Sequence, residues 1–552
     1  MSASSRARQT GLALRQLLPS ADDYRGVRRT WRGDVLAGIT VGIVALPLAL
    51  AFGVSSGAGA ESGLVTAIIA GIVAAIFGGS NVQVSGPTGA MVVVLAPIIA
   101  SHGAGALAAV CLLAGVIVLL AGALRLGRTI AYIPWPVIEG FTLGIAVIIF
   151  LQQVPTATGT AGGESTNAMV AALETLRTID WQTLAWSLLL VAIVVAVMLL
   201  SPRIHPRFPG SLVAILIASI AAWAFALPVE AIGELPTGLP VPTLPMLDVE
   251  TLLALAGPAV AVAALAAIES LLSARVAASI SDTGAYDADR ELVGQGLASI
   301  AAGLFGGMPA TGAIARTAVN VRAGARSRLA SIVHGLLLLA IVLVGASVVA
   351  RIPLAALAGV LMVTAFRMIS IATVRTVVGS TRADAAVFII TAIVTVSVDL
   401  IYAVLIGIAV AAFFALRQLA RASGVHREEL PGAAQPGDER IAVFRLEGAL
   451  FFGVAERMLE RISELRDVEV VVIRMSQLQI LDATGAQVIT ELITSLERRG
   501  ITVLVKGIQP RHLALASRVG VLSSLRHQNH LFDELDAAVA HARSHVRRSA
   551  AS

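Results

Sequence analysis

From Asp34 to about residue 418, this chain of 552 residues is a succession of apolar stretches of helix length, separated by short polar gaps. A backbone surrounded by hydrocarbon must satisfy its own hydrogen bonds, so each stretch has to be a helix. The breaks place fourteen segments near 35–55, 62–78, 88–101, 105–124, 130–152, 182–200, 211–227, 251–275, 291–305, 312–321, 329–350, 354–370, 384–398 and 401–418. Those at 88–101 and 312–321 are too short to cross a bilayer fully. Only 14% of residues are charged and 57% are hydrophobic, which excludes an ordinary soluble domain and makes the lipid bilayer the chain's first partner.

The gaps supply an independent check on the count. Residues 1–33 form a basic arm with no cleavable apolar core, which is expected on the cytoplasmic side. Every even-to-odd connection should then be cytoplasmic and carry arginine. The connections do so at Arg125 and Arg128, Arg203 and Arg207, Arg275 and Arg290, Arg322, Arg326 and Arg328, and Arg367, Arg375 and Arg382. An even count returns the chain to the cytoplasm, as expected of a multi-pass protein of the cell membrane.

One motif occurs twice. Phe77–Ala90 reads FGGSNVQVSGPTGA and Gly306–Asn320 reads GGMPATGAIARTAVN. Each copy has Phe-Gly-Gly, a proline-containing linker and then Thr-Gly-Ala, at Thr88, Gly89 and Ala90 and at Thr311, Gly312 and Ala313. Gly and Pro end one helix, and a short helix then starts inside the membrane with its first amides unpaired. Paired interruptions in two halves point to a transporter substrate site, and two helix N-termini aimed at one point suit an anion. Thr88, Gly89, Ala90, Thr311, Gly312, Ala313, Ile314, Ala315 and Arg316 are therefore the candidate substrate residues. Small residues that merely let helices approach are the competing reading.

Few ionisable residues fall within the segments. Glu139 lies in the first turns of segment five, where a helix N-terminus favours a carboxylate. Glu269 lies mid-segment in AVAALAAIESLLSARVA, where it must be protonated, ion-bound or paired. Ser273 follows one turn later and offers a second oxygen, so the pair is a candidate seat for a coupling cation. Arg316 is either the salt-bridge partner of Glu269 or a positive charge for an anionic ligand. Carrying one negative charge into an inside-negative cell at 100 mV costs about 2.3 kcal/mol, so uptake calls for cation symport or anion exchange.

Other chemistries have little support. The arginines are spread through loops, which disfavours nucleic acid. Cys111 is the single cysteine and sits in an apolar run, as a packing residue. The close histidine pairs, His527 with His530 and His541 with His545, are assigned no metal role. Lys506 is the only lysine and no GxxxxGK[ST] loop exists, so transport should run on an ion gradient without cofactors. No nucleophile–base pair marks an enzyme.

From about Ala422 the pattern becomes that of a soluble α/β domain: strands at 441–446, 468–475 and 501–505, with helices near 455–466 and 485–499. The expected division is an arm at 1–33, a membrane domain at 34–421, a linker at 422–438, the α/β domain at 439–545 and a disordered tail at 546–552.

Several blocks resemble the SulP sulfate permease and anion exchanger family: LPLALAFG at 46–53, SGPTGAM at 85–91, IESLLSARVA at 268–277, the long block at 290–324, and PLAALAGVLMV at 353–363. EGALFFG at 447–453 and LDATG at 481–485 resemble a STAS domain. The resemblance implies an all-α polytopic membrane domain with a seven-plus-seven inverted repeat and a uracil-permease-like core and gate, followed by a small cytoplasmic STAS domain. It further implies homodimers, elevator-like motion and an anion held between segments three and ten, with Phe52 lining the site. Glu269 matches the family's acidic position in segment eight. In similar bicarbonate-type members an Asp with a Thr one turn later helps bind sodium; here Glu269 and Ser273 stand there, so the coupling ion is H+ or Na+. Thr484, after Asp482, matches a position phosphorylated in anti-sigma-factor antagonists, and otherwise reads as a helix N-cap.

The expected function is secondary active transport of a small inorganic anion, sulfate or bicarbonate. The alternatives are a dicarboxylate/H+ symporter, or an uncoupled anion channel or exchanger regulated by the STAS domain.

Overall fold

The computed structural model describes residues 15, 17–128, 133–160, 162–163, 165, 167–179, 181–204, 209–235, 238–245, 248–398, 400–450 and 467–551. The chain divides into two compact units, Met1–Ala409 and Val410–Ser552.

All fourteen segments contain a helix, and the last runs from the first unit into the second. They are α1 (Val27–Ser55), α2 (Ala60–Phe77), α3 (Gly89–His102), α4 (Ala106–Ala123), α5 (Trp135–Gln152), α8 (Trp181–Ile204), α9 (Gly210–Ala224), α10 (Val249–Ile280), α11 (Ala288–Leu304), α12 (Ile314–Arg322), α13 (Leu329–Val349), α14 (Leu354–Met368), α16 (Arg382–Ser397) and α17 (Leu400–Ala422). Three short helices were not foreseen: α6 (Val154–Thr158), α7 (Ala168–Thr175) and α15 (Ile371–Ser380). A π-helical turn at Thr66–Ala70 interrupts α2. Among the described residues, nine helices are long and apolar enough to cross a membrane, and α12 has only nine residues. Large apolar side chains such as Val344, 88% exposed, stand on the outer surface. That suits helices whose solvent is lipid.

The contacts reveal the repeat. α4 packs on α10 and α11, just as α13 packs on α1 and α2. α5 lies on α16 as α14 lies on α8, and α3 touches α10 as α12 touches α1. Each of these pairings thus has a counterpart in which α1–α4 exchange with α10–α13 and the later helices of each half exchange likewise. α1–α4 and α10–α13 gather into a core, and α5, α8, α9, α14, α16 and α17 make up the gate.

At the centre, β1 (Ser85–Gly86) pairs antiparallel with β2 (Thr311–Gly312), with Ser85 opposite Gly312 and Gly86 opposite Thr311. This register corrects the motif alignment. The two-fold relation carries Ser85-Gly86 onto Thr311-Gly312, so the two Thr-Gly-Ala triplets are not equivalent positions. Hydrogen bonding decides the matter: the antiparallel pairing of Ser85 with Gly312 and Gly86 with Thr311 is extended by Ala313 N donating to Val84 O, which fixes the register.

Each half completes the other's broken backbone. Glu291 Oε2 accepts from the amides of Gly79 at 2.8 Å and Ser80 at 3.2 Å, just after α2 ends. Arg328 Nη1 donates to the carbonyls of Ala75 at 3.0 Å and Gly78 at 2.6 Å. Met308 N donates to Thr66 Oγ1 at 2.7 Å, and Ser62 Oγ donates to Gly306 O at 2.8 Å. Arg290 and Arg328 were counted as loop charges; they are 8% and 2% exposed because these backbone groups and carboxylates need them. Arg290 also donates two parallel hydrogen bonds to the Asp23 carboxylate, at 2.9 and 2.8 Å. Burial would raise the Asp23 carboxyl, but the hydrogen bonds of Arg290 and the Ser20 amide, with the charges of Arg290 and Arg328, bring it down to about 2.

The second unit carries a five-stranded sheet in the order β3-β4-β5-β6-β7. Its strands are β3 (Gly424–Glu428), β4 (Ile441–Leu450), β5 (Val470–Leu481), β6 (Thr502–Lys506) and β7 (Leu531–Phe532), with only the β3–β4 pair antiparallel. Alternation along β4 sends Ala442, Phe444 and Leu446 to one face. There they meet Ile489, Leu492 and Leu496 of α18 (Ala483–Arg498), and α19 (Pro510–Val519) adds Ala516. Ile441 and Val443 face the other way, onto Ala538, Ala542 and Val546 of α20 (Leu535–Ala551). The stretch read as a linker, 422–438, therefore contributes the edge strand β3. The tail at 546–552, expected to be disordered, continues α20 through Ala551 because Val546 belongs to that apolar stripe. The expected helix at 455–466 lies outside the described residues.

Candidate functional site

The site forms where α3 and α12 begin. Thr88 is the N-cap of α3, a place where the hydroxyl ordinarily accepts from the helix's own first turn. Here it donates instead to Glu269 Oε2 at 2.7 Å. Thr311 Oγ1, on β2, donates to the same carboxylate oxygen at 2.8 Å. The first-turn amides stay uncommitted: among the described residues, those of Gly89, Ala90 and Met91, and of Ile314, Ala315 and Arg316, have no acceptor. Ile314 and Ala315 are exposed at the opening of α12, so this end of the helix faces open space.

Arg316, 2% exposed, sits one turn into α12. Its Nη2 donates to the carbonyl of Pro87, in the opposite linker. Its Nη1 has no hydrogen-bond partner, and among the described residues the guanidinium makes no ion pair. The salt bridge to Glu269 open from sequence is thus not formed: the threonine hydroxyls occupy the carboxylate and a carbonyl occupies the arginine. Gly86, at φ +153°, makes room for this; a Cβ there would lie 2.8 Å from Arg316 Nη1. A buried guanidinium N–H without an acceptor costs about 1–3 kcal/mol, which an anion would recover.

Phe52, on α1, closes one side. A Cβ on Gly89 would collide with Ile149 Cδ1 and come within 3.4 Å of Phe52 Cε1, so the ring covers the first residue of α3. Gly312 N donates to Ser270 Oγ at 3.1 Å, and Ala313 N to Val84 O at 2.8 Å, fixing the approach to α12. The structure therefore brings Phe52, Thr88, Gly89, Thr311, Arg316 and Glu269 together around one gap. Ser273 turns to a different neighbour, with its Oγ 3.2 Å from Thr317 Oγ1.

Several residues of the surroundings were not singled out from sequence. Ser270, Gln83 and Thr317 are buried polar side chains that pin the linkers, the last through its hydroxyl 3.0 Å from Val84 N. Ser270 and Thr317 each lie one position from a chosen residue, and a scan of the immediate sequence neighbours of Glu269 and Arg316 for polar side chains would have found them. Cys111 Sγ, read as packing, also lies 3.4 Å from Gly307 O.

Beside the core, a cavity of about 780 Å³ is lined by Arg125, Arg128, Arg275, Tyr286, Asp287, Asp289 and the α10 residues Leu271 and Leu272. In the second unit, Asp482 rather than Thr484 caps α18, accepting from Gly485 N at 2.7 Å, while Thr484 is left exposed. The short carboxylate side chain reaches the third amide, which removes the capping role from the threonine.

Comparison with known proteins agrees with this architecture. The sulfate permease family matches residues 31–391, and the STAS domain matches residues 433–538. The chain is 35% identical to YvdB of Bacillus subtilis over 515 residues, covering 91% of this chain and 96% of that one. The transmembrane domain of a cyanobacterium bicarbonate transporter, BicA, superposes with a TM-score of 0.61 at 31% identity, covering 69% of this chain and 97% of that one. SLC26A9 superposes with a TM-score of 0.83 at 16% identity, covering 100% of this chain and 96% of that one, which shows the shared fold. A central pair of half-helices, a two-fold repeat and an α/β module that follows in the chain accord with these matches, and the chain belongs to the sulfate permease family.

Proposed function

We propose that the protein is a proton-coupled secondary transporter of a small inorganic oxyanion, sulfate or bicarbonate, which binds between the starts of α3 and α12. The observation that carries this reading is the shared carboxylate: Glu269 Oε2 receives a hydroxyl from each linker, at 2.7 and 2.8 Å, beside a guanidinium with a free Nη1.

The arrangement couples two bindings. With Glu269 ionised, an anion about 6 Å away is repelled by roughly 3 kcal/mol at an effective dielectric of 20. Protonation removes that repulsion and leaves Arg316 and the two helix dipoles unopposed. Proton and anion therefore favour each other's binding, as symport requires. The hydroxyls sit directly on the carboxylate and Ser273 is engaged with Thr317, which favours H+ over Na+ as the coupling ion.

The cavity lined by Arg125, Arg128 and Arg275 offers an entry from the side read as cytoplasmic, where positive potential concentrates anions. The division into core and gate helices supports elevator-like movement of the core. Homodimer assembly, placement in the cell membrane and a regulatory role for the STAS domain, with Asp482 and Thr484 at the head of α18, complete the reading.

Reconstituted liposomes test it. Labelled sulfate or bicarbonate should accumulate when an inward proton gradient is imposed, and an equal sodium gradient should have no effect. Uptake indifferent to both gradients, or steady currents far above carrier turnover, would instead indicate exchange or a channel. Competition by sulfate, bicarbonate, chloride and fumarate then ranks the substrates.

A further inference from the structure

We propose that His530, His541 and His545 form a binding site for a late first-row divalent transition metal ion, with Zn2+ the leading candidate, that ties α20 to the 3-10 turn just before β7. The three residues come from two places. His530 ends the 3-10 turn Gln528–His530 that leads into β7, and His541 and His545 lie four apart on one face of α20. One ligating atom of each lies within 4.8 Å of those of the other two.

The distances suit a metal. Nε2 of His541 and Nε2 of His545 are 3.2 Å apart. Two nitrogens on a tetrahedral zinc, each at about 2.0–2.1 Å, are separated by roughly 3.3 Å. Imidazole alone, without thiolate or carboxylate, suits Zn2+, Cu2+ or Ni2+ and not Mg2+ or Ca2+. An N–H···N hydrogen bond between the helix pair would account for the 3.2 Å contact by itself. It does not account for His530, which is 2% exposed and whose Nδ1 has no hydrogen-bond partner among the described residues. Buried polar atoms are rarely left so, and this one sits on a ring whose centroid is 5.5 Å from each of the other two.

The surroundings keep the rings neutral and their lone pairs available. Burial, with the neighbouring His545, His541 and His527, lowers His530 to about 4. Burial also lowers His541, aided by Arg548, and His545, aided by His541, Arg548, Arg526 and His527. The two arginines oppose a cation, although Arg526 lies 3.9 Å from Glu497. His527 is exposed at the edge, with its ring 5.4 Å from that of His530. It is left outside the ligand set, and the fourth position falls to water. The consequence is a fastening of the C-terminal helix that the apolar stripe of Ala538, Ala542 and Val546 supplies only in part.

The test uses tag-free, full-length protein in detergent, stripped with chelator and titrated with Co2+ and then Zn2+. One Co2+ per chain should give the visible absorption of a tetrahedral nitrogen site, and Zn2+ should displace it. Zn2+ should also slow hydrogen exchange across 535–551. His541→Gln and His545→Gln should each weaken binding by more than about 100-fold, since even indirect losses around a metal cost roughly 10–100-fold. His527→Gln should bind as the parent does. Retained elution volume and metal-free hydrogen exchange in the variants separate a lost ligand from a lost fold; should a Gln variant fail this, His545→Asn replaces it. Absence of stoichiometric metal uptake by the parent, or unchanged uptake in both helix variants, overturns the proposal.

Discussion

Thr88 and Thr311 are 223 residues apart in the chain, yet their hydroxyl oxygens are 3.0 Å apart and both donate to Oε2 of Glu269. Each hydroxyl has one proton. When Glu269 is ionised both O–H groups can serve Oε2; when a proton sits on Oε2, one threonine accepts it and turns its own O–H to another acceptor. The charge of one carboxyl group is thereby transmitted to both linkers at once.

Glu269→Gln keeps the shape and one acceptor oxygen but cannot take up a proton. Accumulation of labelled anion driven by a proton gradient is expected to fall to the level seen without a gradient, while anion exchange persists. Undiminished accumulation would remove Glu269 from the coupling step.

Arg316→Ala removes the only charge on α12 that faces the gap and strips a buried carbonyl of its donor. A charge-assisted hydrogen bond is worth roughly 1.5–3 kcal/mol, so KM for anion uptake should rise about ten- to hundredfold. Concentration dependence of initial uptake rates reads this directly, and an unaltered KM with an unaltered competition profile would make Arg316 a structural charge.

Gly86→Ala tests the same guanidinium without touching it. A methyl group 2.8 Å from Nη1 must displace the side chain, at an overpacking cost of roughly 1–3 kcal/mol. The variant should reproduce the rise in KM of Arg316→Ala at unchanged net charge. A normal KM would mean that the guanidinium position is not critical.

Asp34, fully buried, accepts from Arg326 N at 2.7 Å, Ser327 N at 3.1 Å and the hydroxyls of Ser327 and Thr30, both at 2.6 Å. Asp34→Ala leaves these donors unpaired, at about 1–3 kcal/mol for each one that water cannot reach. The thermal midpoint of the detergent-solubilised protein should drop clearly, with Asp34→Asn in between.

The contact of Asp23 with Arg290 should be sensitive to acid. The folded carboxyl titrates at about 2, below the roughly 3.9 of an unfolded aspartate, so its stabilisation is complete above about pH 4 and is lost as pH falls towards 2. Asp23→Asn should lower the thermal midpoint at pH 6 and lower it only about a third as much at pH 2.5. An equal difference at both values would assign the effect to packing.

Much of this was legible before any coordinates. Hydropathy gave the fourteen apolar segments, each of which holds a helix, because lipid leaves the backbone one solution; the three short helices between them carried no such signal. The broken motif located the gap, and Glu269 stood out as a carboxylate in an apolar run. What escaped were relations between distant positions. The register of β1 and β2 follows from which backbone groups meet, and similar triplets misaligned it by three residues. Arg290 and Arg328 look like loop charges until the ends of α2 are seen to need donors and acceptors. The three histidines are drawn from two close pairs, His527 with His530 and His541 with His545, and only the packing of α20 on the sheet joins the pairs.

The mutual completion of the halves has a consequence for biogenesis. When the ribosome has delivered α2 to the membrane, the carbonyl of Gly78 and the amide of Gly79 still lack Arg328 and Glu291, which are encoded 250 and 212 residues later. The nascent first half must therefore wait in the bilayer with open backbone valences, shielded by water, lipid headgroups or an insertion chaperone. Truncation anywhere before Arg328 should yield a polypeptide that inserts but is cleared by membrane proteases.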